Sequence, residues 1–247
     1  MAMGKKLEIC LNSDNETHLT DNVKNAFIAG ASRIELCSSM HQDGLTPSDS
    51  AISNCAKIIP NNGELLIMIR PIANDFSVDA PLLKKMLNQI EKAAELGANG
   101  VVFGAIKEAE IDVAATRILA STAQKNNLKT TFHRAFDCIA EPLNAIPTLI
   151  DLGIDRVLTN GAHYNDEQNI LHGIESLRRI IKRANNQIEV VIGGGVNPQN
   201  AAELWPICEG KLSSLHAYSA VLNDQGRVMP QYISQLLNPS FEQLTYD

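Results

Sequence analysis

The sequence predicts a (β/α)8 TIM-type barrel, and three observations carry that prediction. Eight short runs rich in β-branched and apolar residues recur along the 247-residue chain. Their starts are spaced by about 30 residues, the size of one β-α unit. The stretches between them are long enough for the crossover helices that parallel strands require. In order the runs are KLEICL from residue 6, RIELCS from 33, LLIMIR from 65, GVVFGA from 100, KTTFHR from 129, RVLTN from 156, EVVIGG from 189 and SLHAYS from 214. No Pro/Gly/Ser linker or low-complexity segment interrupts them, so residues 1–247 read as one barrel domain.

The punctuation between the runs agrees. Thr46-Pro47 and Asn197-Pro198 each read as a capping side chain followed by proline at the first helical position. Gly30, Gly97 and Gly153 stand where helices should stop. From Leu82 to Leu96, apolar residues at 83, 86, 87, 90, 93 and 94 mark one stripe of a layer helix, with lysines and glutamates opposite. After the last run only PQYISQLL can make a helix, so the final helix is expected to be short or incomplete, and the tail NPSFEQLTYD irregular. A doubly wound sheet fits less well, because no G-x-G-x-x-G follows the first strand.

Composition narrows the function. With 45% hydrophobic and 20% charged residues the chain can bury a sizeable core. A formal charge of −7 argues against nucleic acid or an anionic membrane surface as partner. No apolar run approaches the roughly 20 residues of a membrane span, and MAMGKK leads straight into a strand, so a cytoplasmic protein is expected. The five cysteines are odd in number, widely spread and without a C-x-x-C, which points to reduced thiols instead of disulfides or a zinc ribbon.

Barrels of this type work at the C-terminal ends of their strands. Polar residues late in the predicted strands are Glu8, Cys10 and Asn12; Glu35 and Cys37; Arg70; His133 and Arg134, with Asp137 just beyond; Thr159 and Asn160; Gly193 to Gly195; and His216 with Tyr218. In LEIC and IELC the acid and the thiol share one strand face and the aliphatic residues the other. If the aliphatic face meets the helices, both Glu-x-Cys pairs point into the barrel. Cys10 and Cys37, on neighbouring strands at equivalent heights, could then bring two sulfurs to one soft ion such as Cu(I); each also reads as a small buried hydrophobe. The two glutamates need cations or donors nearby, and Arg70, Arg134 and His133 are expected to supply them. Alternation in TTFHR places His133 inward and leaves Arg134 at the rim. Gly193-Gly194-Gly195 resembles a phosphate-binding turn after the seventh strand, without its usual partner after the eighth. Cys55, Cys138 and Cys208 read as bystanders.

The ordered blocks LEIC, GASRIELC, DGLTPS, MIRP, DF, GVVFG, TFHRAFD, RVLTNG and GGGV resemble those of the CutC copper-homeostasis family, over residues 7 to about 220. The resemblance implies a cytoplasmic (β/α)8 barrel that forms homo-oligomers, dimers or tetramers, is linked to copper handling, and has Cys10 and Cys37 as matching Cu(I) ligands. Three places depart from the pattern: Asp43-Gly44, Ile72-Ala73-Asn74 and Ala217-Tyr218. The second removes a positive charge beside the pocket.

Two readings follow. In one, the protein binds Cu(I) through Cys10 and Cys37 with no turnover. In the other, it is a barrel enzyme of isomerase or lyase type on a small polar or anionic, sugar-phosphate-like substrate, with Glu8, Glu35, His133 and Asp137 as acid–base candidates and Arg70, Asn160, Gly193, Gly194 and His216 as substrate contacts. No lysine lies in the strand-end cluster, which disfavours a Schiff base.

Overall fold

A computed structural model of the chain describes residues 4–73, 75–164 and 170–239. Asn74 and residues 240–247 of the tail lie outside the described residues. All eight expected runs form strands: β1 Leu7–Asn12, β2 Arg33–Cys37, β3 Glu64–Met68, β4 Gly100–Phe103, β5 Lys129–Phe132, β6 Arg156–Thr159, β7 Glu189–Ile192 and β8 Ser213–Ala217. Each pairs in parallel with its chain neighbours, and β8 returns to β1, so the sheet closes into a barrel. The helices between and after them are α1 Glu16–Ile28, α2 Asp49–Ala56, α3 Ala80–Glu95, α4 Val113–Lys125, α5 Pro142–Asp151, α6 Ile174–Ala184, α7 Ala201–Cys208 and α8 Pro230–Leu237. The last covers the PQYISQLL stretch and is short, as expected. Among the described residues no helix is long and apolar enough to cross a membrane.

Strand alternation sorts the core into two parts. Leu7, Ile9, Leu11, Ile34, Leu36, Leu65 and Ile67 belong to the large cluster packed against the helices, whereas Cys10, Cys37, Leu66, Met68 and Val102 form a separate apolar cluster inside the barrel. Helix α3 buries Met86, Ile90 and Ala93 against the sheet and is capped by Asp79, whose side chain accepts the Leu82 N–H at 2.8 Å. Gly30, Gly97 and Gly153 all have positive φ just past a helix end.

The predicted caps need correction. Ser48, not Thr46, caps α2 by accepting the Ala51 N–H at 3.2 Å, because the Thr46 hydroxyl is occupied in accepting the Arg70 N–H at 2.9 Å; Pro47 lies outside the helix. Asn197 does accept N–H groups, from Gln199 and Asn200, but it caps a turn that precedes α7. A two-stranded hairpin, Ile106–Lys107 with Glu110–Ile111, follows β4 and was not expected.

Candidate functional site

The N-terminal end of the barrel interior is ionic. Arg33, the first residue of β2, stands opposite Glu8 of β1 and donates from Nε to its Oε2. Its Nη2 reaches Glu189 Oε1 at 2.7 Å and Ser214 Oγ at 2.8 Å. Arg156 extends the network to Glu64 at 2.5 Å and to Glu189 at 3.6 Å. The cation that answers Glu8 is therefore Arg33, and not Arg70, Arg134 or His133 as the sequence suggested. Burial alone would raise the Glu8 carboxyl, but Arg33 and then His216 overcome it and hold the group far below the ordinary carboxylate range.

Above this base lies a cavity of about 270 Å³ at the C-terminal ends of the strands. Its lower wall is Cys10, Glu35, Cys37, Met68 and His216; its upper wall includes Met40, Asp43, Arg70, Phe76, His133, Arg134, Tyr164, Gly194, Gly195 and Tyr218. The sequence-predicted residues Cys10, Cys37, Glu35, Arg70, His133, Gly194 and His216 thus come together. Four others stand behind the wall. Glu8 is fully buried beneath it. Asp137 is a brace, paired with Arg134 at 2.8 Å and accepting from Thr159 Oγ1 and the Asn160 N–H. Asn160 turns its side-chain oxygen to the Ala162 N–H, and Gly193 packs where a Cβ would meet Leu158 at 2.7 Å.

The two cysteine sulfurs lie 3.8 Å apart. They are not at equivalent heights: Cys10 pairs with Glu35 in the ladder and Cys37 with Asn12, so the thiols meet on a diagonal. A third sulfur joins them, Met40 Sδ at 3.9 Å from Cys10. Met40 opens a short 3-10 turn bracketed by two non-glycine residues in the left-handed region, Ser39 and Asp43 (φ 48° and 61°). That turn is held from both sides. Asp14 accepts the Ser39 N–H with both carboxylate oxygens at 3.0 Å, and Arg70 Nη1 donates to the carbonyls of Gln42 (2.6 Å) and Gly44 (3.2 Å). The guanidinium of Arg70 also covers the Phe76 ring at 4.8 Å.

Charge states follow from these neighbours. Hydrogen bonding from Cys37, helped by His216, outweighs burial and brings the Cys10 thiol down to about 6; the Cys37 thiol, beside that developing thiolate, is pushed well up. Burial pushes Glu35 up to about 8, against the pull of His216. Its Oε1 lies 3.4 Å from Cys37 Sγ, and its Oε2 has no hydrogen-bond partner among the described residues. His216 would be lowered by burial, yet Cys10, Glu35 and Glu8 raise it well above the usual imidazole value. Cys10, Glu35 and His216 each place a ligand atom within 4.8 Å of the other two. His133 behaves oppositely: burial and then the Arg70 charge bring it down to about 3. Its Nδ1 accepts the Ala135 N–H at 3.1 Å, so the neutral ring carries its proton on Nε2.

Fold and cavity together define a (β/α)8-barrel protein with soft sulfur donors, an acid and an imidazole at the mouth. Within that class the chain belongs to the CutC family, whose model matches residues 5–217. It is 36% identical over 200 residues to the family protein CutC of Pasteurella multocida and 40% identical over 200 residues to that of Vibrio atlanticus, in each case over 81% of this chain and 76% of the relative. The crystal structure of a proposed copper homeostasis protein CutC from Streptococcus agalactiae superimposes with a TM-score of 0.73 at 29% identity, covering 86% of this chain and 98% of that one. Thiamine phosphate pyrophosphorylase from Pyrococcus furiosus, with a TM-score of 0.61 at 17% identity, shares the fold.

Proposed function

We propose that the protein handles copper by holding one Cu(I) between Cys10 and Cys37, with Met40 as a third soft donor. The observation that carries this is the pair of buried cysteine sulfurs 3.8 Å apart at the base of the cavity. Around an ion with metal–sulfur bonds of about 2.3 Å, sulfurs in trigonal or tetrahedral array stand roughly 3.8 to 4.0 Å apart, which matches both sulfur spacings at Cys10. Thiolates and thioethers select Cu(I) over harder ions. A Cys10 thiol near 6 is readily deprotonated for that purpose. The copper homeostasis name of the Streptococcus agalactiae relative agrees. On this reading the protein works in the reducing cytoplasm, as a homo-oligomer. The test is a competition titration of the reduced wild type, Cys10→Ser and Cys37→Ser against a Cu(I) chelator. One ion bound per wild-type chain, with binding lost in both variants, supports the assignment; unchanged affinity in both removes it.

A second reading, acid–base catalysis on a small polar substrate, is favoured by one observation: Glu35, titrating near 8, faces the cavity beside His216. No lysine lines the cavity among the described residues, so imine chemistry has no nucleophile there. Turnover of a sugar phosphate that disappears in Glu35→Gln but survives in Cys37→Ser would favour this reading over the first.

A further inference from the structure

Two strands round the barrel from β1, β7 ends in a glycine turn at the edge of the cavity. Gly194 and Gly195 both adopt positive φ, 86° and 113°. The main-chain N–H groups of Gly194, Gly195 and Val196 make no hydrogen bond among the described residues, and all three residues line the cavity. The turn is nevertheless fixed, because the Gly195 carbonyl accepts from the side-chain amides of both Asn200 (2.8 Å) and Asn197 (3.2 Å).

Arg134 meets this turn. Its Nε is engaged by Asp137, and its guanidinium stacks on Tyr164 at 5.0 Å. The same guanidinium passes so close to Gly194 that an added Cβ there would lie 3.0 Å from Cζ. Its two Nη groups have no hydrogen-bond partner among the described residues, and the side chain is 29% exposed. Three consecutive backbone donors and one arginine fork are thus collected at one edge of the mouth and held in place by stacking, an ion pair and two asparagines. The charged side chains around that edge are Arg70 and His216 on the cationic side and Asp43 on the other, with Asp137 already committed to Arg134 and the Glu35 carboxyl kept largely protonated by its burial.

The geometry points to a phosphate monoester as the ligand of this edge, its phosphoryl group held by the N–H groups of Gly194 to Val196 and by the Arg134 Nη groups. Three terminal oxygens can accept from that many donors, whereas a carboxylate offers two. The body of the ester extends between Phe76 and Leu158 toward Glu35 and His216, in a cavity whose roughly 270 Å³ limits it to a small metabolite. Cys10 and Cys37 take no part, so this site stands or falls separately from copper.

Inorganic phosphate and glycerol 3-phosphate serve as probes, with malonate as the carboxylate control. Calorimetric titration compares wild type, Arg134→Gln, Cys37→Ser and Arg178→Gln, the last on an exposed α6 arginine paired with Glu175. Both phosphates should bind wild type, Cys37→Ser and Arg178→Gln alike, bind Arg134→Gln more weakly by roughly tenfold or more, and outcompete malonate. Equal affinity in folded Arg134→Gln, malonate binding as tightly as phosphate, or no binding to wild type at millimolar probe would overturn the assignment. Should Arg134→Gln not fold, amide chemical shifts of the wild type decide: saturable movement of Gly194, Gly195 and Val196 on adding phosphate supports the site, and movement elsewhere without these three refutes it.

Discussion

His216 and Glu8 are joined by a 2.6 Å hydrogen bond from Nδ1 to Oε1, and that bond ties the ionic base of the barrel to the sulfur-lined mouth. A buried carboxylate that is itself held ionised by Arg33 keeps the imidazole protonated, and the imidazolium in turn favours the Cys10 thiolate. The Cys10 thiol is thus lowered first by its Cys37 neighbour and then by His216, whose proton is held in part by an acid that never touches the cavity.

Replacing Glu8 by Gln should break this chain of influence. His216 loses an anion that holds its proton, and because the pull of His216 on the Cys10 thiol exceeds the direct repulsion from Glu8 that the substitution also removes, the Cys10 pKa rises above its value of about 6. Measured as the pH midpoint for alkylation of Cys10, read by peptide mass spectrometry, the variant should titrate at higher pH than wild type. An unchanged midpoint would mean that His216 does not govern the thiol.

Arg33 serves three buried acceptors at once, so Arg33→Met leaves Glu8 and Glu189 facing each other without their shared cation. The expected loss is about 3 to 5 kcal/mol, the usual cost of removing one partner of a buried ion pair. Urea unfolding followed by circular dichroism measures it, and a loss below about 1 kcal/mol would show the network to be dispensable.

The fold was legible because β-branched runs and helix-stopping glycines carry their own local physics, and the inward direction of Glu35 and Cys37 followed from strand period alone. The same period puts Arg33 inside, two residues before Glu35, but Arg33 opens its strand run, and only the late positions of each strand point to the working end of such a barrel. Met40 had no such signal. Its place over Cys10 depends on Ser39 and Asp43 taking left-handed conformations, which depend on Asp14 and Arg70 from other units. The unforeseen hairpin turns through Glu108 and Ala109, both at positive φ, without the Asn-Gly that normally announces such a turn. Asp137 appeared to belong to the mouth by sequence position alone; the 3-10 turn after β5 carries it behind Arg134 instead.

Glu35 gives stability a pH dependence whose sign is fixed. Burial raises its folded value to about 8 from an ordinary carboxyl value near 4.5, so its stabilising contribution is fully present below the lower value and is lost as pH rises through the upper one. Glu35→Gln carries no such titration. The difference in unfolding free energy between variant and wild type should therefore move in the variant's favour between pH 5 and pH 8, by up to about 1.4 kcal/mol per pH unit. Parallel stability curves across that range would rule out a raised Glu35.

Met40→Leu keeps the volume of the side chain and removes its sulfur. If the thioether is a third donor, Cu(I) affinity falls by roughly tenfold, about 1.4 kcal/mol, while Cys10→Ser costs far more. Chelator competition on the two variants checks the order, and a Met40→Leu protein as tight as wild type would reduce the site to two ligands.

The central claim is that Cys10 and Cys37 share one copper ion. Crystals of the reduced protein loaded with one equivalent of Cu(I), measured at the copper absorption edge, test it most directly. The predicted result is a single anomalous peak between the Cys10 and Cys37 sulfurs, within about 2.3 Å of each and on the side of Met40. A peak elsewhere in the protein, or copper-loaded crystals with none between these two sulfurs, would contradict it.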